Sequence, residues 1–154
     1  MSNERIKSQI QFQIQQIDKL LKMYSQLLKE CREKEPDLVE ITAIASVLHS
    51  FYNGLENIFE IIAKRIDNGI IQGEKWHKRL LSEMVSKNDK RSAVITNDLK
   101  DKLIEYMGFR HFFRHSYSFF LDWDELKKLV LPLEEVWKQA KEEIEVFLNS
   151  IDKN

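Results

Sequence analysis

Ile41 to Ile66, ITAIASVLHSFYNGLENIFEIIAKRI, is the stretch whose reading decides the fold class. Ile41, Ile44, Leu48, Phe51, Leu55, Ile58, Phe59, Ile62 and Ile66 recur at steps of three and four, which places them on one face of an α-helix. Asn68-Gly69 follows as a C-terminal stop. The same spacing runs through Ile6, Ile10, Ile14, Ile17, Leu20/Leu21, Tyr24, Leu27/Leu28 and Cys31. It predicts a first helix from about residue 4 to about residue 33, roughly 45 Å long at the usual rise. Charged residues from Glu30 to Glu35 and then Pro36 end it, so the two long helices form an antiparallel hairpin. Cys31 lies on the apolar stripe, where a free thiol behaves as a small hydrophobe and carries no chemistry. A second stripe on the Ile41 to Ile66 helix, His49, Asn53, Glu56 and Glu60, has two readings. It is a solvated face, or it lines a polar cleft with Glu56 or Asn53 as partner to the basic cluster described below.

Downstream, the turn Ile70 to Gly73 leads to a shorter amphipathic helix carrying Trp76, Leu80, Leu81, Met84 and Val85. His77, next to Trp76, reads as a structural or surface residue and only a weak candidate for ligand contact. Ser86 to Ile95 is polar and is expected to be a mobile loop. Its Lys87, Lys90 and Arg91 read as solvated charges, with phosphate contact as the other reading. Thr96 to Asp98 offers caps for a helix from Leu99 to about Met107. Leu121 to Asp124 breaks the chain again, with Asp122 or Asp124 capping the next helix, which Pro132 should kink or restart. Leu133, Val136/Trp137, Ala140, Ile144, Phe147/Leu148 and Ile151 give the last helix. The expectation is an all-α, up-and-down bundle of five to six helices in a single domain spanning residues 1–154.

Composition agrees with that class. Four Gly and two Pro against 32% charged residues leave little material for tight turns and much for helices. One cysteine excludes an internal disulfide and a cysteine cage for metal. Without an N-terminal h-region or a long apolar run, a cytoplasmic protein with no membrane contact is expected. With 24 basic and 25 acidic side chains the net charge is −1, so nucleic acid can be held only by a local patch. No glycine-rich phosphate loop is present, which excludes both common nucleotide-binding fingerprints.

Such a patch is Tyr106 to Phe120, YMGFRHFFRHSYSFF. It holds seven aromatics, Arg110, Arg114, His111 and His115, and no acid, which suits anion binding better than a core or a mixed-charge face. On a regular helix Arg110 and His115 stand about 140° and about 7.5 Å apart. For the two to act together, Gly108 must break the helix, Arg110 must reach across, or two chains must combine their copies. Four chemistries compete. His111 and His115 have the spacing of paired metal ligands, but two ligands beside two arginines make a poor cation site. Ser116 or Ser118 could serve a triad only with an orienting acid that the cluster lacks. An aromatic core helix whose polar residues merely find partners is the third. Phosphate chemistry on RNA is the fourth: the substrate's 2′-OH attacks, a His moves the proton, an Arg holds the phosphate, and no metal or other cofactor is needed.

Arg110-x4-His115-x-Tyr117, preceded by Gly108-Phe109, resembles the Rx4HxY signature of HEPN-domain ribonucleases. More narrowly, the chain is similar to HepT-like toxins paired with a minimal nucleotidyltransferase antitoxin (the HepT–MntA type). The likeness extends to the helical hairpin, to GLENIFEIIA (Gly54 to Ala63) and to GEKWHKRLL (Gly73 to Leu81). It implies a homodimeric, metal-independent endoribonuclease of a type II or type VII-like toxin–antitoxin system, with its site in a cleft between the two copies. Arg110 would hold the scissile phosphate, His115 would be the general acid/base, and Tyr117 would receive AMP from the antitoxin. His111 stands where the signature commonly has a small polar residue, often Asn, and with Arg114 it is a possible accessory. A non-catalytic HEPN module that binds nucleotide, RNA or a partner is the alternative.

Overall fold

The structure, a computed structural model, describes residues 2–69, 72–115 and 121–151. These hold α1 (Asn3–Met23), α2 (Ser25–Glu30), α3 (Leu38–Arg65), α4 (Trp76–Glu83), α5 (Asn97–His115), α6 (Trp123–Val130) and α7 (Leu133–Ile151), and no β-strand. α1 and α2 form one rod interrupted at Tyr24, whose ψ of 12 leaves the helical range. Counted as rods, the helices number six. No Gly or Pro marks the interruption, so the periodicity reads straight through it and predicts a single helix. Beyond it, Leu28 and Cys31 stay buried.

α3 begins with a capping box in which Asp37 accepts from the Glu40 amide at 2.8 Å and Glu40 accepts from the Asp37 amide at 3.0 Å. At its far end Asn68 takes a positive φ of 54 and the Gly69 amide returns to the Ala63 carbonyl at 2.9 Å, the stop expected there. The apolar faces of α1, α3, α5 and α7 close into one core in which Ile10, Phe51, Leu55, Phe59, Leu103 and Ile144 are wholly buried.

Contacts between the rods fix the up-down-up-down order. Gly54 lets α3 approach α1 closely, since a Cβ there would stand 2.7 Å from Ile17 Cγ1. Asp18 of α1 accepts from Trp137 Nε1 at 2.7 Å and from Lys141 Nζ at 2.8 Å, and Asn3 donates to the Ile151 carbonyl at 3.0 Å, so α7 runs antiparallel to α1. Thr96, before α5, donates its amide to Glu143 of α7 at 2.7 Å, and the Tyr106 hydroxyl donates to the Leu129 carbonyl at 2.6 Å. Pro132 restarts the chain into α7, and Asp122 caps α6 by accepting from the Asp124 amide at 3.0 Å, as the sequence anticipates.

Two further expectations differ from the structure. Ser86 to Ile95 is tied down, because Arg91 is buried at 4% exposure. Its guanidinium makes a two-pronged pair with Asp67 at 2.8 Å on both oxygens and also donates to the Glu83, Ser86 and Ser92 carbonyls. Arg91 is therefore a structural cross-link to the end of α3, not a phosphate contact. Nor does Gly108 break its helix, since α5 runs through it to His115. One glycine costs a helix only about 1 kcal/mol, and Tyr106 and Phe109 anchor α5 on either side.

Candidate active site

The bundle-facing stripe of α5 is Leu99, Leu103, Tyr106, Arg110 and Phe113, at helical steps of four, three, four and three. Arg110 thus occupies a position that points at α3, and its side chain is only 13% exposed. A cation there needs partners, and the polar stripe of α3 provides them. Asn53 Oδ1 accepts from Arg110 Nε, and Glu56 Oε1 lies 3.6 Å from Arg110 Nη2. Glu56 is itself buried at 3% exposure. The cleft-lining reading of that stripe therefore describes the geometry of Asn53 and Glu56, and the solvated-face reading does not.

α4 supplies a third side. His77 Nδ1 lies 2.7 Å from Glu56 Oε2 and 3.4 Å from Arg110 Nη1, and its ring stacks on Trp76 with centroids 3.6 Å apart. On the other flank Asn53 Nδ2 lies 3.0 Å from His49 Nε2. Asn53 spends its carbonyl on Arg110, so its amide is the donor and His49 Nε2 the acceptor. The His49 proton then sits on Nδ1, a buried atom with no hydrogen-bond partner among the described residues. Desolvation, with the charges of Arg110 and Arg114 added, lowers the His49 pKa below its usual value and holds the ring neutral. Phe113 packs over it at a centroid distance of 5.1 Å. Burial, reinforced by the Glu56 charge, raises the Tyr52 hydroxyl above the ordinary tyrosine range and keeps it protonated.

The remaining members of the basic cluster lie elsewhere. His111, Arg114 and His115 are exposed, and the two imidazoles neighbour each other on the outer face with centroids 4.7 Å apart. α5 is continuous, so within one chain Arg110 points inward and His115 outward. The structure brings together Arg110, Asn53, Glu56, His77 and His49, and it does not bring His115 to Arg110. Ser116, Tyr117 and Ser118 fall outside the described residues. Among the described residues no group of three or more His, Cys, Asp or Glu is gathered to hold a metal ion, and no helix is long and apolar enough to cross a membrane.

The sequence marks His77 only as a weak candidate. Its partners lie 21 and 33 residues away, and nothing in the local pattern of α4 reports them. His49 was legible only as one member of a polar stripe.

An apolar groove of about 360 Å³ flanks the α5–α6 side, lined by Gly108, Phe109, Phe112, Leu121, Leu126 and Leu129 among others. Phe112, 43% exposed, stands at its rim. A Cβ on Gly108 would meet nothing within 4 Å, so this glycine widens the groove without being required by any contact.

No curated protein and no solved structure matches the chain. A family model described as HepT-like protein matches residues 43–151, from the second turn of α3 to the end of α7, which takes in the whole of the Arg110 network. The chain belongs to the HepT-like protein family.

Proposed function

We propose that this chain is a metal-independent endoribonuclease toxin, neutralised when a nucleotidyltransferase antitoxin attaches AMP to Tyr117. In this reading it acts as a homodimer. Arg110 of one copy holds the scissile phosphate, and His115 of a second copy moves a proton at the reacting oxygens. Membership of the HepT-like family supports the toxin class. The observation that carries the reading is the split of the signature across α5. Arg110 is set inward by Asn53, Glu56 and His77, while His115, five residues on, is presented to solvent.

The chemistry is that of the substrate's own nucleophile. The 2′ oxygen loses its proton to an imidazole and bonds to phosphorus, and the P–O5′ bond breaks. The 5′ oxygen takes a proton, leaving a 2′,3′-cyclic phosphate and a 5′-hydroxyl. Arg110 stabilises the charge on the non-bridging oxygens. AMP on Tyr117 would add bulk and negative charge two residues from His115, where RNA must sit.

The test is complementation between two dead variants. Arg110→Ala and His115→Ala should each abolish RNA cleavage and growth inhibition. Mixed as subunits, they should recover about a quarter of wild-type activity, because half of the dimers then carry one intact site of two. No recovery would exclude a site shared between copies, and full activity in His115→Ala alone would end the ribonuclease reading.

The same contacts favour a second reading. Arg110 already has a carboxylate, an amide and an imidazole as neighbours, the arrangement of a buried structural cation in a non-catalytic binding module. Wild-type growth inhibition in both single variants would select it.

A further inference from the structure

Glu56 and His77 form a pair that the signature does not contain. Nitrogen and carboxylate oxygen approach to 2.7 Å, which requires a proton between them. Carried on His77 Nδ1, that proton fixes the tautomer and leaves Nε2 as the ring's acceptor. The carboxylate comes from a buried residue on the rigid middle of α3, and Trp76 packs on the ring face, so the imidazole is held in one orientation. The His77 side chain retains 28% exposure, and Nε2 has no hydrogen-bond partner among the described residues. Arg110 Nη1 lies 3.4 Å from the same Nδ1, which as an N–H does not accept from it, so guanidinium and ring are neighbours without a hydrogen bond between them. An oriented imidazole with an open acceptor thus stands beside the one guanidinium that the signature assigns to phosphate.

Resting on the ribonuclease reading of this site, we infer that His77, oriented by Glu56, is the base that takes the 2′-hydroxyl proton while Arg110 holds the phosphate. His115 of the second copy then protonates the departing 5′ oxygen. The proton taken at His77 Nε2 and the proton given by His115 balance. One turnover leaves His77 protonated and His115 neutral, and exchange with water resets both. Local charge favours the assignment. Among the described residues the charged groups in contact with the ring are Glu56 from α3 and Arg110 from α5, and together they balance. A bound phosphodiester adds one negative charge, which a proton gained by His77 offsets. Substrate binding itself therefore favours proton uptake at this ring. The carboxylate behind Nδ1 stabilises the imidazolium as it forms, the role of a third group behind a catalytic histidine. The division of labour also answers the geometry of α5, since Arg110 has an imidazole beside it in its own chain although His115 faces away.

His77→Asn separates this role from packing, because the Asn amide occupies the place of Nδ1–H and keeps the bond to Glu56 while Nε2 is lost. His77→Asn should unfold at the wild-type urea midpoint and bind RNA with little change in KM. It should lose about 100-fold or more in kcat, the usual cost of a missing general base. Its residual rate should no longer respond to pH on the limb that the base controls. A kcat within about threefold of wild type, with the pH profile unchanged, would overturn the assignment and leave the ribonuclease reading standing.

A second arm does not depend on cleavage. Inorganic phosphate titrated into wild-type protein should shift the His77 imidazole resonances and protonate the ring, and Arg110→Met should abolish the response. If the wild type fails to cut RNA, the ribonuclease reading fails, and this titration alone decides whether Arg110 and His77 form an anion-linked proton site. Unmoved His77 resonances at saturating phosphate would overturn that too.

Discussion

Glu56→Ala is the perturbation that the architecture of the site makes most costly. Glu56 is 3% exposed, and its carboxylate bonds to His77 Nδ1 at 2.7 Å and forms an ion pair with Arg110 Nη2 at 3.6 Å. Its removal leaves a guanidinium of 13% exposure and an imidazole N–H facing a void. Breaking a buried pair from one side costs about 3–5 kcal/mol, since the remaining charge is neither solvated nor matched. Against a typical total of 5–15 kcal/mol that is a large fraction, though one that still leaves a folded protein in the upper part of the range. With a urea slope of roughly 2 kcal/mol per molar, the unfolding midpoint should fall by about 1.5–2.5 M. Far-UV circular dichroism in urea at neutral pH reads it directly. Glu60→Ala on the same stripe is the control: among the described residues Glu60 pairs with the exposed Lys64 at 3.1 Å, a contact of the kind worth about 0.3–0.5 kcal/mol. In Glu56→Leu/Arg110→Met the orphaned charge is gone, so the double variant should be more stable than the sum of its singles predicts. A loss under about 1 kcal/mol in Glu56→Ala would show that water already screens Arg110, and the buried-pair argument would fail with it.

Further consequences lie outside the Arg110 network or at its edge. Arg91→Ala should destabilise by about 3–5 kcal/mol in the same urea experiment, because Asp67 and three carbonyls lose a common donor; a change of a few tenths would restore the picture of a solvated loop charge. Gly54→Ala gains about 1 kcal/mol of helix propensity but drives a methyl into Ile17, at a cost of about 1–3 kcal/mol. It should therefore destabilise the wild type yet stabilise an Ile17→Ala background, and the same sign in both would contradict the close packing of α1 on α3. His49 binds its proton less tightly when folded than when unfolded, so the unfolded chain holds more protons below the ordinary value of 6.5. Its contribution is thus present above that pH and is lost as pH falls toward the depressed folded value. His49→Gln should flatten that part of the stability profile, and an unaltered acid limb would remove His49 as its source.

Apolar periodicity carried most of the fold. Ile44, Leu48, Phe51, Leu55, Phe59 and Ile62 are all at the core, and Thr96, Asp122 and Pro132 act at the helix starts where their chemistry places them. What escaped has local causes. Tyr24 interrupts a helix without any breaker residue, and Gly108 does not interrupt one, because a single glycine is a smaller term than the aromatic anchors beside it. Arg91 reads as any loop cation, because Asp67, two residues past the end of α3, faces it only in space.

The site was half legible for the same reason. Arg110, Asn53 and Glu56 lie on helical stripes whose phase can be read from spacing. Their mutual contact depends on the register of α5 against α3, which no local pattern encodes. His77 reaches them only because the turn through Gly73 and Lys75, with φ of 93 and 61, swings α4 against the α3–α5 seam. His115 poses the converse case. Its place in the signature is plain in the sequence, yet its side chain faces away from Arg110.

Everything proposed for this site turns on whether the 2′-hydroxyl of RNA is the nucleophile. An end-labelled oligoribonucleotide incubated with purified protein in EDTA, beside the same oligonucleotide carrying 2′-deoxy sugars, asks that question in one experiment. The account predicts cleavage of the ribose strand alone, with 2′,3′-cyclic phosphate and 5′-hydroxyl ends. Failure to cut the ribose strand in EDTA, or equal cutting of the deoxy strand, would contradict it.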